Sequence, residues 1–396
     1  MKILLGGVPL GCDNIGDEAI VGCVVKLLRD LFPDAELTVC TRDQEKTARR
    51  LEVKTVPLYG FPPHPDWHGF AAEVRRYDLF CWFGATGLSD YPECSLHLLD
   101  IAHRAGVKTV VWGVGMNSQL NPAFYRVGGK KRKLLRLLTR ISPHRTDWVA
   151  IYEKWLCRRT RRHIRRSLDD CSLVVLRDEE SVREARRCGF RRAVAGADSA
   201  ILQQSAERPP LKEDAGAVRI GFCISAQNAV RNLDGVKRLW DALLERPGVR
   251  VVLIPMNSKT DRRLMLDVAA SVAHRERVEC LESDLPADVR ACAGECRLVV
   301  SSRLHLLILA ANAGVPGLGI ARGSKIGNFL KAFQRTPTGS VEDCDLEVLY
   351  RQILAMIDRP EEDLRRETLA VTGHMRERLE KASVLLRQTL SGAARS

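Results

Sequence analysis

Short apolar runs punctuate the chain, and stretches with apolar side chains at helical spacing separate them. Residues 2–7 read as a first buried strand. Ile20, Val21, Val24, Val25, Leu27, Leu28 and Leu31 then recur three and four positions apart, as on a helix with one buried face. Strands at 36–41, 78–83, 108–112 and 172–176 alternate with a charged helix from Asp43, a helix over 96–105 and a helix from Glu179. Near-continuous apolar strands divided by helices predict a parallel sheet covered on both faces. Residues 203–217 are polar, contain Pro209-Pro210 and read as a linker. The alternation then restarts, with strands at 218–224, 249–254, 297–301 and 315–320 and helices at 234–244, 262–273 and 304–313. A mostly helical tail follows from Asp345. The expected architecture is α/β, with two Rossmann-like domains whose parallel sheets face a cleft. The expected boundaries are an N-terminal domain at 1–202, the linker, a second domain at 218–344 and a tail at 345–396.

Composition narrows this picture. The chain has 396 residues, 45% of them apolar and 28% charged, which provides for two cores and excludes a wholly disordered chain. No apolar run approaches the roughly 18 residues of a membrane span. The stretch from Met1 to Cys12 superficially resembles a lipoprotein signal. Pro9 interrupts it, however, and Asp13, Asp17 and Glu18 follow, so it reads as core strand. The 13 cysteines are scattered, with no C-x-x-C and with Cys292 and Cys296 as the tightest pair. That spacing suits neither a metal framework nor a disulfide scaffold and implies reduced thiols in a cytoplasmic protein. No metal site and no cofactor are expected.

Charge adds a feature that hydropathy does not show. The net charge of +13 resides almost wholly in residues 126–166, where fifteen Lys or Arg face only Asp147 and Glu153. Trp148, Tyr152, Trp155 and Leu156 interleave with them. Such a basic helical insert suits an anionic lipid surface or a polyanionic substrate, while a merely solvated hairpin is the plainer alternative. Nucleic acid fits the charge, but no nucleic-acid motif accompanies it.

Four strand-to-helix junctions carry candidate chemistry, because ligands of parallel sheets gather at the carboxyl ends of strands. The first, 11–20, holds Asn14, Gly16 and Asp17; it lacks the G-x-G-x-x-G of a dinucleotide site and also reads as a helix cap. The second holds Ser302-Arg303-Leu304-His305. A helix N-terminus attracts phosphate or carboxylate, arginine offers them a bidentate fork, and histidine moves protons near neutral pH. The third places Arg322 and Lys325 on the next loop, and the fourth places Arg177 ahead of an acid-rich helix start. Glycine loops at 84–87 and 113–117, the latter ending in Asn117, read as further cleft lining.

In order, these motifs resemble the polysaccharide pyruvyl transferase family. The matching residues are Asn14-Ile15-Gly16-Asp17-Glu18-Ala19, Arg177-Asp178-Glu179 with Ser181, Gly196-Ala197-Asp198, Ser302-Arg303-Leu304-His305, and Gly314-Val315-Pro316 with Lys325. The resemblance departs at Gly84-Ala85-Thr86-Gly87, poorer in glycine, and at Met116-Asn117-Ser118, where Gly-Pro is usual. It implies a GT-B-like architecture and transfer of the pyruvyl group of phosphoenolpyruvate onto sugar hydroxyls, usually as a ketal. His305, Arg303 and Asp17 then become the catalytic candidates, with Asn14, Gly16, Asn117, Arg177, Arg322 and Lys325 as substrate contacts. The implied acceptor is a cell-envelope saccharide, lipid-linked or free, and the basic insert would hold the enzyme at the inner membrane face. Two rivals stay open: a GT-B glycosyltransferase using a nucleotide sugar, and a non-catalytic polyanion-binding protein. Ketal or enolpyruvyl ether, and oligomeric state, stay open too.

Overall fold

The computed structural model of the chain describes residues 1–118, 126–142, 146–207, 211, 216–227 and 229–392. Arg145 of the basic segment, residues 208–210 and 212–215 of the expected linker including Pro209-Pro210, and the last four residues lie outside the described residues. The strands are β1 (Lys2–Gly6), β2 (Glu36–Thr41), β3 (Lys54–Pro57), β4 (Leu79–Phe83), β5 (Lys108–Val114), β6 (Leu173–Leu176), β7 (Val194–Ala195), β8 (Val218–Cys223), β9 (Val249–Leu253), β10 (Val278–Cys280), β11 (Leu298–Ser301), β12 (Gly317–Ala321) and β13 (Gly339–Ser340). The chain divides into two compact units, one formed by 1–8 with 58–195 and the other by 9–57 with 196–396.

In the first unit, β1, β4, β5, β6 and β7 are parallel neighbours in that order. Every residue of β4, Leu-Phe-Cys-Trp-Phe, is buried, as a parallel strand covered on both faces requires. Trp82, Trp112 and Phe70 are among the largest buried side chains, and Phe70 meets Phe80 edge-on at 5.3 Å between ring centroids. The basic segment forms two helices, Gly129–Ile141 and Trp148–Asp169. The far end of the second is tied to the sheet's helical layer. There His163 Nε2 and Ser167 Oγ meet Asp100, on the Pro92–Arg104 helix, at 2.7 and 2.6 Å.

The second unit holds a six-stranded parallel sheet in the order β10-β9-β8-β11-β12-β13. Its core includes Phe222, Trp240, Val251, Leu253 and Val300, all at most 1% exposed. It also holds the parallel pair β2–β3 with the helices Ile15–Leu31 and Gln44–Leu51. Residues 9–57 group with the C-terminal half in this division. The physical reason lies in the loop before the first helix: Ile15 N–H donates to the Met256 carbonyl at 3.0 Å, and Asn14 bridges to Asn257. The tail is likewise built into this unit. Its Glu361–Gly392 helix packs on the Leu304–Asn312 helix, and Arg376 donates to the Asn312 carbonyl at 3.3 Å. Among the described residues no helix is long and apolar enough to cross a membrane.

Candidate functional site

The loop after β1 ends in a cap that also builds the site. Asn14 Oδ1 accepts the Gly16 N–H at 3.2 Å, which starts the Ile15–Leu31 helix, while Asn14 Nδ2 donates to Asp17 Oδ2 at 2.7 Å. Asp17, in the first turn, is 6% exposed. Between them Gly16 presents a bare Cα to the His305 imidazole: a Cβ there would lie 2.0 Å from Nδ1 and 2.4 Å from Cγ. No side chain but hydrogen fits.

His305 comes from the other half of the same unit. Parallel neighbours β11 and β12 run in register, Val299 opposite Gly317, and each passes into a helix. Those helices, Leu304–Asn312 and Ser324–Lys331, both begin without a side-chain cap hydrogen bond. Two N-termini without a side-chain cap on adjacent strands concentrate positive dipole, a setting for anions. His305 and Lys325 are each the second residue of their helix. The His305 side chain is 15% exposed, and its Nε2 lies 3.5 Å from Asp198 Oδ2. Asp198 is itself anchored, since its Oδ1 accepts the Ala200 N–H at 3.0 Å to start the short Ser199–Leu202 helix.

Electrostatics ties these groups together. Burial pushes the Asp17 carboxyl above the usual carboxylate range. Neighbouring His305, the Asn14 hydrogen bond and Lys325 pull it back, and the Asp198 charge adds to the rise. One imidazole thus serves two buried carboxylates beside a lysine. A carboxyl displaced in this way marks a candidate acid or base.

Arg303 departs from expectation. Read from sequence it is an open fork for a donor anion. In the structure Nε and Nη2 donate to Asp261 Oδ2 and Oδ1 at 2.9 and 2.8 Å. Asp261 is fully buried, and its Oδ1 also accepts the Ala226 N–H at 2.8 Å. The guanidinium is occupied by a bidentate partner 42 residues upstream, too distant in sequence to be read from the motif. Arg322 Nη2 donates to Gln227 Oε1 at 3.4 Å. On the outer side of the Asn14 loop lies an open polar cavity of about 630 Å³, lined by Gly11, Cys12, Asp13, Arg42, Asp43 and Lys259.

Arg177 and Asn117 belong to the first unit. Arg177, 6% exposed, lies over Gly115, where a Cβ would be 2.5 Å from Cζ, and its Nε donates to Asp178 Oδ2 at 3.3 Å. Asn117 Nδ2 donates to Asp90 Oδ1 at 2.8 Å and its N–H to Ser89 Oγ at 2.9 Å. Ser181 Oγ accepts the Met116 N–H at 2.9 Å, so the junctions after β5 and β6 interlock.

A sequence model of the family described as polysaccharide pyruvyl transferase matches residues 14–324. The chain belongs to that family. The match begins at Asn14 and ends one residue before Lys325, so it takes in every other candidate residue. No curated protein matches the chain. Solved structures are similar over nearly its whole length. UDP-GlcNAc 2-epimerase from Neisseria meningitidis, bound to UDP-GlcNAc, aligns at TM-score 0.63 and 12% identity, covering 99% of this chain and 100% of the other. A putative UDP-N-acetylglucosamine 2-epimerase from Listeria monocytogenes aligns at 0.62 and 12%, covering 93% and 90%. A glycosyltransferase of kitacinnamycin aligns at 0.57 and 14%, covering 98% of each. At that identity the likeness shows the fold: two parallel-sheet α/β domains of the GT-B kind.

Within the family frame, the structure brings Asn14, Gly16, Asp17, His305 and Lys325 into one neighbourhood and leaves Arg303 locked to Asp261. Two residues were missed as functional candidates. Asp198 stands in the family-like Gly196-Ala197-Asp198, and a carboxylate heading a short helix was the available signal. Asp261 gave none. Burial pushes the thiols of Cys81, Cys171 and Cys223 up to about 12.

Proposed function

We propose that this chain transfers the pyruvyl group of phosphoenolpyruvate to sugar hydroxyls of a cell-surface polysaccharide or its lipid-linked precursor, with release of phosphate. One observation carries the reading: the His305 imidazole between buried Asp17 and Asp198, beside Lys325, where two helices start uncapped. The donor is a small dianion or trianion, and the paired helix starts with Lys325 suit its phosphate and carboxylate. His305 protonates the methylene carbon, and a sugar hydroxyl adds to C2, passing its proton to Asp17. The C2–O bond to phosphate then breaks, phosphate leaving with the bonding electrons and the proton held by Asp17, and a second hydroxyl adds to the same carbon to close the ketal, its proton returning to the imidazole. Asp198 holds the ring in place. The polar cavity beside Asp13 is the natural seat for the acceptor. A positioned acid or base supplies about 10²–10⁴-fold in such a step.

The test is phosphate release from phosphoenolpyruvate across a panel of free and lipid-linked saccharides, with His305→Ala as control. Acceptor-dependent release lost in that variant supports the reading; no release with any acceptor counts against it. Similar structures are complexes with UDP and UDP-GlcNAc, which favours a nucleotide-sugar transferase as second reading. Thermal unfolding separates the two, because a ligand at a hundred times its Kd stabilises by about 2.7 kcal/mol. Protection by phosphoenolpyruvate but not UDP supports the first, and the reverse supports the second.

A further inference from the structure

The basic segment forms a surface that the chemistry above does not use. Among the described residues from 128 to 163 none is buried, although they form a helical hairpin. A helix normally hides its apolar stripe. Here the stripe is bare: Leu134, Leu137, Leu138 and Ile141 are 58, 53, 37 and 70% exposed, and they sit at i, i+3, i+4 and i+7. On the second helix Trp148, Ile151 and Trp155, at i, i+3 and i+7, are 40, 48 and 49% exposed. Among the described residues these seven are most of the exposed large hydrophobics. Contact within the hairpin uses other positions: Thr139 Oγ1 accepts the Trp148 N–H at 3.1 Å, and Lys131 Nζ sits 4.1 Å from the centre of the Tyr152 ring and bonds its hydroxyl. Cations surround the stripes, among them Lys130, Lys133, Arg136, Arg140, Arg158 and Arg162.

We propose that this hairpin docks the protein on an anionic lipid surface. The charge selects that occupant. A second copy would set two such cationic faces against each other. A nucleic acid would satisfy the charges and leave Leu137, Ile141 and Trp148 in water. Anionic headgroups over acyl chains take both the cations and the apolar stripes, as interfacial amphipathic helices do. The hairpin lies in the interface plane; it does not span, because its stripe is one face of each helix. The inference stands independently of the reaction proposed above.

Flotation of the whole chain with vesicles tests it. Vesicles of phosphatidylcholine with phosphatidylglycerol should carry the protein at about 0.15 M salt, and phosphatidylcholine alone should not. Each cation near such a surface is worth about fivefold in partitioning, so Arg136→Glu with Arg140→Glu should weaken binding by at least about 25-fold. Leu137→Asp with Ile141→Asp should weaken it about tenfold or more, at unchanged melting temperature, since both side chains are solvent-exposed. Failure to float at low salt overturns the proposal. So does flotation indifferent to the two aspartates, and so does an RNA homopolymer bound as tightly as the vesicles and equally indifferent to them, which would assign the surface to nucleic acid.

Discussion

Adding one methyl group at Gly16 is the sharpest probe of the site. A Cβ there would sit 2.0 Å from His305 Nδ1, 2.4 Å from Cγ and 2.8 Å from its Cβ, against an ordinary contact of at least 3.4 Å. Ring or helix must therefore yield by 1.4 Å, the difference of the two closest figures. Forcing an extra methyl into a packed place costs about 1–3 kcal/mol. Replacing glycine by alanine in a helix returns up to about 1 kcal/mol. Gly16→Ala should thus be neutral to destabilising by about 2 kcal/mol in the native background. In a His305→Gly background, which removes the Cβ at 2.8 Å as well as the ring, the obstruction is gone, and the same change should stabilise by up to about 1 kcal/mol. The cycle over the four proteins, read by thermal or urea unfolding, should give a coupling of about 1–3 kcal/mol. Phosphate release is the second readout. A 1 Å displacement of a reacting group costs on the order of a hundredfold, so Gly16→Ala should lower kcat by about that factor, with no further loss in the double variant. Additive stability effects would refute the contact. Unchanged kcat in an otherwise active enzyme would refute the imidazole's role.

Arg303→Ala strands a fully buried Asp261 carboxylate and should cost about 3–5 kcal/mol, seen as a lowered unfolding midpoint. An unchanged midpoint with lost phosphoenolpyruvate affinity would return Arg303 to the donor site. Asp17→Asn keeps an acceptor for Asn14 but removes a carboxyl whose pKa burial raises above its ordinary value of 3.8. Such a group favours the folded state at low pH and loses that stability as pH climbs from 3.8 through its raised value; the variant should be at least as stable at neutral pH, with a flatter dependence across that window. Its kcat should fall about a hundredfold or more, and unfolding curves identical to the parent at every pH would contradict the assignment. Asp198→Asn should lower kcat about tenfold or more with KM little changed and a displaced pH profile, because it positions His305 without meeting substrate; a change confined to KM would place Asp198 elsewhere.

Much of the fold could be read directly because parallel strands announce themselves. Residues 36–41 were expected as a strand and form β2 at Glu36–Thr41. The expected helix from Glu179 runs Glu179–Arg187, with Asp178 as its cap. Weak elements escaped: β10 spans only Val278–Cys280, and the Ser324–Lys331 helix follows a loop that hydropathy reads as a turn. Among the candidate residues, Asn14, Asp17 and His305 could be singled out because each stands at the start of a helix that follows a strand, where short-range pattern is informative. The partner of Arg303 was not legible for the converse reason. The guanidinium could be assigned only with knowledge of what stood opposite, and Asp261 lies on a different helix.

Local periodicity, cap residues and charge distribution thus determined the α/β alternation, the junctions that carry chemistry and the concentration of cations in one hairpin, since each depends on neighbours within a few residues. Partnership was decided only in three dimensions. That Gly16 makes room for an imidazole nearly three hundred positions away, that Asp198 rather than Arg303 attends that imidazole, and that the leucines beside the cations stay bare all follow from packing between distant segments, which no window along the chain contains.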